Sequence, residues 1–306
     1  MTREKLEIAV VGACHTDRKA RAAAPYVEAA SNPVALQACP GGVARNVAEN
    51  LARLGASVRL VTRLGGDPEG EALYAGLSGL PIDLTGISRS DTAPTAFHLI
   101  ALQPDGEMLV AVADMRVYDE ITPARLESLP RSFWSVDAIF ADCNLPAETL
   151  AYLAALRRED RRFAVNGVSP AKAVRVKDHL TACDLLFVNR REAAALLDVA
   201  PDASAPAAAA ALAEAGVGEV VITLGAAGIC LAGGGEVLEL PTLEGQLLDV
   251  TGAGDALAAA YLEARLRGHD LCRAGRRALA AARLTVETFD SVSPKLTRET
   301  LEELVL

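Results

Sequence analysis

The chain has 306 residues, of which 51% are hydrophobic and only 4% aromatic, and its formal net charge at pH 7 is −10. This length suits one large domain or two modest ones with a substantial core. The acidic balance argues against a nucleic-acid polymer as partner, because such a partner requires a basic surface on the protein.

Targeting segments and disulfide or metal patterns are absent from the sequence. The start, MTREKLEIAVVG, lacks the long apolar stretch of a signal peptide, and no run of about eighteen apolar residues occurs. The six cysteines and four histidines show no spacing typical of a zinc or redox site. We therefore expect a reduced, soluble, cytoplasmic protein with no membrane partner.

Short apolar runs alternate with helical patterns along most of the chain. The runs predicted as buried strands are 6–11, 57–62, 136–141, 162–166, 184–189 and 219–224. The segments predicted as helices are 41–55, 146–159, 205–215 and 253–267. This alternation predicts an α/β fold with a mostly parallel central sheet and helices on both faces.

Two segments break the alternation. Residues 92–113 contain two alternating runs joined at Pro104-Asp105-Gly106, which is typical of a β-hairpin. Residues 13–40 are irregular and carry polar residues among alanines. We interpret the two segments as a small β-sheet lid over a site.

The stretch TGAGD (251–255) raises the sharpest chemical question. If a helix begins near Ala253, the N–H groups of residues 252–255 can hold an anion such as a phosphate. Asp255 would then lie in the first helical turn, where it could accept the proton of an attacking hydroxyl. The alternative is a loop followed by an acid that complements the helix dipole. No GxxxxGK[ST] sequence occurs, which excludes a P-loop, and GAGDAL lacks the third glycine of a dinucleotide fingerprint.

Two further clusters could bind a ligand's hydroxyl groups. Gly41 and Gly42 open the clearest helix and Asn46 falls in its first turn, although a simple loop-to-helix junction would look the same. His15 and Asp17 follow the first strand, at the end where open parallel sheets bind ligands; Asp17 could equally be a turn residue. The other histidines are expected to be structural: 98, 179 and 269.

Two more clusters follow later strands. Asn189 and Glu192 could hold Mg²⁺ through water, or could be a helix cap with its helix-start acid. Thr223, Gly225 and Gly228 suit a nucleotide lying against the backbone, or only a hairpin turn.

Together these elements resemble the PfkB family of ribokinase-like sugar kinases over nearly the whole chain. The most specific segments are GGVARNVAENLARLG and DVTGAGDA, in that order, with NRRE and TLGAAG between them. Several stretches are most similar to pseudouridine kinases within the family: SNPV (31–34), DGEMLVAVADM (105–115), ADCNLP (141–146), GVSPAKAVRVKDHL (167–180) and NRREAAAL (189–196).

The resemblance implies one ribokinase-like domain over residues 1–306, with three α/β/α layers and a lid from about 13–40 and 85–115. It implies transfer of the γ-phosphoryl group of ATP to the 5′-hydroxyl of a ribosyl nucleoside, pseudouridine above others. Inosine, adenosine or ribose as acceptor, and a non-catalytic nucleoside sensor, are the alternatives. Mg²⁺ is the implied cofactor, a monovalent cation such as K⁺ near residue 250 is left open, and a homodimer through the lid is expected.

The family's site residues transfer position by position. Asp255 matches the catalytic base, and the anion hole matches Gly252, Ala253 and Gly254. The positions that hold the acceptor are Asp17, Gly41, Gly42, Asn46 and His15. The positions on the ATP side are Asn189, Thr223, Gly225, Gly228 and Thr251, with Glu192 for the metal.

The chain departs from the family pattern at two places. His15 stands where relatives usually have Asn, and Asn166-Gly167 stands where Asp-Pro is common. The first change bears on which acceptor fits, and the second removes a carboxylate from the phosphate or metal environment. Neither change touches Asp255.

Overall fold

A computed structural model of the protein describes residues 5–305, which form two β-sheets and ten α-helices. The strands of the central sheet are β1 (Glu7–Val11), β4 (Ser57–Gly65), β5 (Ile82–Ser90), β8 (Ala138–Asp142), β9 (Arg162–Asn166), β10 (Leu185–Asn189), β11 (Glu219–Thr223), β12 (Ile229–Gly233) and β13 (Glu236–Leu240). The strands of the second sheet are β2 (His15–Ala22), β3 (Val34–Gly41), β6 (Phe97–Leu102) and β7 (Met108–Asp114).

The central sheet confirms the predicted α/β architecture. Its order is β13-β12-β11-β10-β9-β8-β1-β4-β5, and all neighbours pair in parallel except at β11-β12 and β12-β13. Each of the six predicted strands is present within a few residues of its expected bounds. Parallel strands need crossover connections, and the helices supply them.

The helices cover both faces of the central sheet and give the three predicted layers. They are α1 (Val43–Arg53), α2 (Pro68–Ser78), α3 (Pro123–Glu127), α4 (Ala147–Ala155), α5 (Pro170–Ala173), α6 (Arg190–Leu197), α7 (Ala205–Glu214), α8 (Ala253–Leu266), α9 (Leu271–Val286) and α10 (Arg298–Val305). Helices α3 to α7 contribute to one buried cluster, and α1, α2, α8 and α9 to the other. Within residues 5–305 no helix has the length and apolar character required to cross a bilayer.

The ends of helices α1 and α4 have different causes, a glycine after α1 and backbone pairing after α4. On α1, Val47 and Leu51 are fully buried, and Gly55 follows the helix with a φ of 82° that suits glycine. Helix α4 is shorter than predicted and ends at Ala155, because Arg158 and Arg161 exchange backbone hydrogen bonds of 3.1 Å that turn the chain into β9.

The second sheet is the predicted lid, and we use this name for its four strands in the order β3-β2-β6-β7. The predicted hairpin is confirmed, since β6 and β7 pair antiparallel across the turn at 104–106. Residues 13–40 are more regular than expected, with β2 and β3 paired over eight residues each. The predicted lid segment 85–115 begins too early: residues 85–90 lie in β5, where backbone pairing with β4 places them in the central sheet.

Candidate active site

The carboxyl ends of the seven parallel strands lie along one edge of the central sheet, and the start of α8 faces this edge. A cleft of about 170 Å³ at this edge is lined by residues from four of the predicted clusters. It is also lined by Asn166, one of the positions at which the chain departs from the family pattern. The polar or glycine residues that line it are Asn166, Asn189, Glu192, Thr223, Gly254 and Asp255. The fold therefore brings the start of α8 next to the strand ends that carry the predicted ATP-side and metal residues.

Asp255 and Asn46, which are far apart in sequence, meet at this edge. The Nδ2 group of Asn46 in α1 donates a hydrogen bond of 2.8 Å to Oδ2 of Asp255 in α8. Asn46 is 3% exposed and Asp255 is partly buried. Asn46, predicted to hold the acceptor, is thus hydrogen-bonded directly to Asp255, the predicted base.

The backbone at the start of α8 offers fewer free donors than the sequence suggested. The N–H of Ala253 donates to the carbonyl of Val250 at 3.3 Å, and that of Asp255 donates to the carbonyl of Gly252 at 3.1 Å. Within residues 5–305, the N–H groups of Gly252 and Gly254 have no acceptor at hydrogen-bond distance. Gly252 has φ 80° and lies so close to the backbone of Ser291 that a Cβ would collide with it.

The electrostatics of the site favour proton transfer by Asp255. Burial raises the pKa of its carboxyl to about 7, against the hydrogen bond from Asn46, which lowers the pKa. The negative charges of Asp142 and Asp17 raise this pKa further, whereas the Arg45 guanidinium lowers it. A carboxylate with a pKa near the working pH is well suited to accept a proton from a hydroxyl.

Arg45 orients the amide of Asn46. Its Nη1 donates to Oδ1 of Asn46 at 2.9 Å, which leaves Nδ2 of that amide directed at Asp255. The Nη2 atom of Arg45 is held by Glu49 at 2.5 Å, one helical turn along α1. Arg45 was not among the predicted site residues, although it stands beside Asn46 in the first turn of a predicted helix.

Asp142 is a second residue that sequence reasoning missed. It closes β8, is fully buried, and burial raises the pKa of its carboxyl. Its Oδ2 accepts from the N–H groups of Ala13 at 2.8 Å and Ala44 at 3.0 Å, so it ties the loop after β1 to the start of α1. At Gly12 a Cβ would lie 2.2 Å from the same oxygen, so this contact requires glycine there. The sequence could have indicated Asp142 as a site residue, because it is an acid at the carboxyl end of a strand.

The predicted acceptor residues Asp17 and His15 lie together, and a third residue joins them. Asp17 is 7% exposed; its Oδ1 lies 3.4 Å from Nε2 of His15 and 3.3 Å from Nδ1 of His98 on β6. Burial opposes ionisation, but the hydrogen bonds from the two histidines outweigh it and hold the pKa of Asp17 below its usual range. The prediction that His98 lies away from the site is therefore wrong. The parallel pairing of β2 with β6 places His98 directly opposite Asp17.

The two glycines before α1 allow the chain to lie close to Asp17 and to the backbone after β1. A Cβ at Gly41 would lie 2.0 Å from Oδ2 of Asp17, and one at Gly42 would lie 2.5 Å from the carbonyl oxygen of Ala13. Gly42 also has φ 98°, which L side chains rarely adopt. A side chain at position 41 would therefore displace the carboxylate of Asp17, and one at position 42 would collide with the backbone of Ala13.

Asn189 and Glu192 form a capping box at the start of α6. Oδ1 of Asn189 accepts from the N–H of Glu192 at 3.0 Å, and Oε2 of Glu192 accepts from the N–H of Asn189 at 2.9 Å. The Nδ2 group of Asn189 also donates to Oε1 at 2.5 Å, and burial raises the pKa of Glu192. Both carboxylate oxygens are thus engaged, and residues 5–305 contain no cluster of three or more acidic, histidine or cysteine side chains suited to a metal.

The remaining ATP-side residues border a second, open groove of about 510 Å³. It is lined by Asn189, Arg190, Arg191, Thr223, Leu224 and Ala227. The glycines beside it have positive φ angles, 61° at Gly225 and 100° at Gly228. Gly228 packs against the backbone of Leu240, while a Cβ at Gly225 would meet nothing within 4 Å. The exposed Arg190 and Arg191 make this groove attractive to an anion.

The loop before α8 is joined to the lid. The ammonium group of Lys19 on β2 forms an ion pair with Asp249 and donates to Oγ1 of Thr251 at 2.8 Å. Asp249 also accepts from the N–H and hydroxyl of Thr251. Burial would raise the pKa of Asp249, but the hydrogen bond from Lys19 and then those from Thr251 lower it. A monovalent cation near residue 250 would need oxygen ligands, and Lys19 already pairs with the carboxylate of Asp249.

Comparisons with known proteins agree on one family. The pfkB family of carbohydrate kinases matches residues 5–298. The pseudouridine kinase of Escherichia coli K12 is 30% identical over 99% of this chain and 97% of its own. The structure of a carbohydrate kinase from Agrobacterium tumefaciens superposes with a TM-score of 0.83 at 34% identity, covering 98% of this chain and 97% of that one. An Arabidopsis thaliana ribokinase, solved with ribose and ATP, shares the fold at a TM-score of 0.85 and 22% identity over 98% and 99%.

Proposed function

The chain belongs to the PfkB family of carbohydrate kinases, and on that premise we propose that it transfers the γ-phosphoryl group of ATP to the 5′-hydroxyl of pseudouridine. Members of this family are phosphotransferases with an alcohol group as acceptor. The observation that carries the proposal is the position of Asp255, with a pKa of about 7, beside the free N–H groups of Gly252 and Gly254.

Pseudouridine is chosen as the acceptor because the similarity to the Escherichia coli pseudouridine kinase runs through both chains almost end to end. The acceptor's ribose would lie between the strand ends and the lid, with its hydroxyls on Asp17 and its 5′-hydroxyl toward Asp255. Oδ2 of Asp17 has no hydrogen-bond partner within residues 5–305, so it can accept from a ribose hydroxyl.

The chemical step follows from these positions. The carboxylate of Asp255 takes the proton of the 5′-hydroxyl, and the resulting oxygen forms a bond to the γ-phosphorus. The bond from that phosphorus to the β,γ-bridging oxygen breaks, and ADP leaves with its electron pair. The N–H groups of Gly252 and Gly254 donate to the transferring phosphoryl oxygens, where negative charge is concentrated.

ATP would lie in the open groove beside Thr223, with its phosphates reaching the cleft from the side of Arg190 and Arg191. Mg²⁺, when bound with ATP, offsets the charge on the phosphates. Glu192 and Asn189 offer the oxygen chemistry that Mg²⁺ uses, but their oxygens already accept hydrogen bonds. We therefore propose that they hold the ion through water.

The lid is also the proposed dimer surface. Its two edge strands, β3 and β7, carry exposed apolar side chains that water would otherwise surround: Leu36 is 59% exposed, Met108 64% and Val110 50%. Unpaired strand edges of this kind invite pairing with a second sheet. A second copy of the chain would cover both the edges and these side chains.

The proposed function is tested by ADP release from the purified protein with ATP and Mg²⁺. The acceptors are pseudouridine, uridine, inosine, adenosine and ribose, with a no-acceptor reaction as background. Strong turnover with pseudouridine alone is the expected result. Turnover with a different acceptor would retain the chemistry and overturn the choice of substrate. Nucleoside binding without any turnover would overturn the enzymatic proposal in favour of a sensor.

A further inference from the structure

Lys19 and the loop before α8 form a closed set of hydrogen bonds. The ammonium of Lys19 pairs with Oδ2 of Asp249 and donates to Oγ1 of Thr251 at 2.8 Å. The hydroxyl of Thr251 donates to Oδ1 of Asp249 at 2.7 Å, and the N–H of Thr251 donates to the same oxygen at 2.9 Å. Both carboxylate oxygens therefore accept, the hydroxyl both donates and accepts, and the positive charge that joins them comes from Lys19.

This loop leads directly into the start of α8. Thr251 precedes Gly252, whose N–H has no acceptor within residues 5–305 and is one of the two donors that the proposed chemistry directs at the transferring phosphoryl group. Gly252 also lies against the backbone of Ser291. The pairing with Lys19 thus holds the two residues from which this backbone donor follows.

Strand β2 links the loop to the acceptor side of the site. Lys19 lies two residues after Asp17 on β2, and side chains two apart on a strand point to the same face. The strand therefore presents the carboxylate proposed to hold the acceptor and the ammonium that holds the loop on one face of the lid.

A free monovalent cation, which the sequence leaves open near residue 250, does not fit beside this arrangement. Such an ion would need oxygens of Asp249 or Thr251 as ligands, and it would then lie close to the ammonium of Lys19, where like charges repel. The side chains of Lys19 and Asp249 are 19% and 18% exposed, so water screens this repulsion only partly. An ammonium group carries the same single charge as K⁺ and already contacts the oxygens that the ion would use.

We propose that Lys19 supplies the cation of this loop from within the chain, as a positioning residue for residues 249–252, so that turnover requires no free monovalent cation. The inference rests on the proposed function for the role of Gly252 as a donor to the phosphoryl group. The pairing of Lys19 with the loop does not depend on that function.

The first test compares wild-type turnover in KCl, NaCl and tetramethylammonium chloride at equal ionic strength, with ATP and Mg²⁺ supplied free of other alkali ions. Tetramethylammonium is too bulky to take the place of K⁺ between these oxygens, so it serves as the inert salt. The expected result is the same kcat/KM for the acceptor in all three salts. A wild-type enzyme that K⁺ activates would overturn the proposal, and this comparison needs no variant.

The second test removes the internal cation. In Lys19→Ala the carboxylate of Asp249 loses its partner and space opens beside it. We expect kcat/KM to fall about tenfold in tetramethylammonium chloride, because charged hydrogen bonds are lost, and KCl to restore most of it. In the double variant Lys19→Ala/Asp249→Asn the carboxylate is gone, and KCl should restore nothing. Arg18→Ala is the matched control on β2, since its ion pair runs to Glu69, and it should be indifferent to the salt.

Hydrogen exchange at residues 249–252, measured by mass spectrometry without substrates, gives a readout that does not depend on the acceptor. In the wild type it should be equal in KCl and tetramethylammonium chloride. In Lys19→Ala it should be about tenfold faster in tetramethylammonium chloride and slow again in KCl. Failure of KCl to slow this exchange would contradict the role of Lys19 as the cation of the loop. Absence of turnover with every acceptor would overturn the proposed function instead, and the exchange result would still decide on Lys19.

Discussion

At the scale of single residues, the site depends on the raised pKa of Asp255, whose carboxylate is held out of water. Removal from water raises the pKa of its carboxyl to about 7, and one hydrogen bond from Asn46 keeps the carboxylate oriented. A surface aspartate would be ionised at neutral pH but would be a much weaker base. The raised pKa is therefore the property that makes a helix-start acid chemically useful, beyond complementing the helix dipole.

The pH dependence of turnover should report this carboxyl. Because Asp255 must be ionised to accept the proton, kcat should be small below its pKa and rise through about pH 7 to a plateau on the alkaline side. Steady-state kcat at saturating ATP, Mg²⁺ and acceptor between pH 5 and about pH 9 measures this. A kcat that is already maximal near pH 5 would show that Asp255 is not the titrating base.

Arg45 should influence turnover through Asn46 and Asp255 rather than through substrate. In Arg45→Met, Asn46 loses the donor that orients its amide, and Asp255 loses a nearby positive charge. We expect the acidic limb of the kcat profile to shift upward by roughly 0.5–1 pH unit, as expected for loss of a charge at this range.

Arg53→Met is the matched control for that variant. Arg53 lies on the same helix and also pairs with Glu49, but it does not contact Asn46. Glu49 retains one arginine partner in either variant. Equal shifts of the kcat profile in the two variants would contradict a specific role for Arg45.

At the scale of secondary-structure elements, the lid and the α8 loop are joined by one ion pair. Lys19 and Asp249 are 19% and 18% exposed at their side chains, so solvent screens the pair only partly. In Lys19→Gln we expect amide exchange at residues 249–252 to become about tenfold faster, and the acceptor KM to rise, because a charged hydrogen bond is lost. Hydrogen-exchange mass spectrometry and steady-state kinetics measure the two effects.

Arg18→Gln provides the comparison for Lys19→Gln. Arg18 is the next residue on β2, and its ion pair runs to Glu69 at the start of α2 instead. Its loss should loosen the contact between lid and α2 without accelerating exchange at 249–252. If exchange in that loop responds equally to both variants, Lys19 has no special coupling to the loop.

Most elements could be predicted because their patterns are local. The strands buried on both faces and helix α1 follow from runs of apolar residues and from Gly55 at the helix end. Strand β5 was missed because IDLTGISRS mixes polar and apolar residues at the edge of the sheet. The end of α4 was also misplaced, since the reversal at 158–161 depends on backbone pairing that the helical pattern does not reveal.

The contacts of the site could be predicted only in part. TGAGD and the GGVARN segment indicated which backbone and side-chain groups are placed at helix starts. The partners that tune them come from other elements: Asp142 from β8, His98 from β6 and Lys19 from β2. A single sequence gives no signal for such pairings, because they depend on strand register and on the position of the lid.

At the scale of the whole molecule, the lid is expected to serve both the site and the assembly. If β3 and β7 form the dimer surface, a charge placed there should separate the subunits. Val110→Asp is expected to halve the molar mass in sedimentation equilibrium and to raise the acceptor KM, because an uncovered lid is less ordered. Val237→Glu, on β13 of the central sheet and 45% exposed in the native chain, is the control and should keep the wild-type mass. A wild-type protein that is monomeric would contradict the proposed dimer.

The proposed mechanism depends on Asp255, and the most direct measurement compares Asp255→Asn with the wild type. Asparagine keeps an oxygen for the Asn46 hydrogen bond but cannot take a proton, so the fold and nucleoside binding should persist. The control is Asp270→Asn, which removes the helix-start carboxylate of α9 and retains a capping side chain there. With pseudouridine, ATP and Mg²⁺, kcat should fall by about 10²–10⁴-fold in Asp255→Asn alone, with binding still measurable by calorimetry. Unchanged turnover in Asp255→Asn would contradict the proposed mechanism.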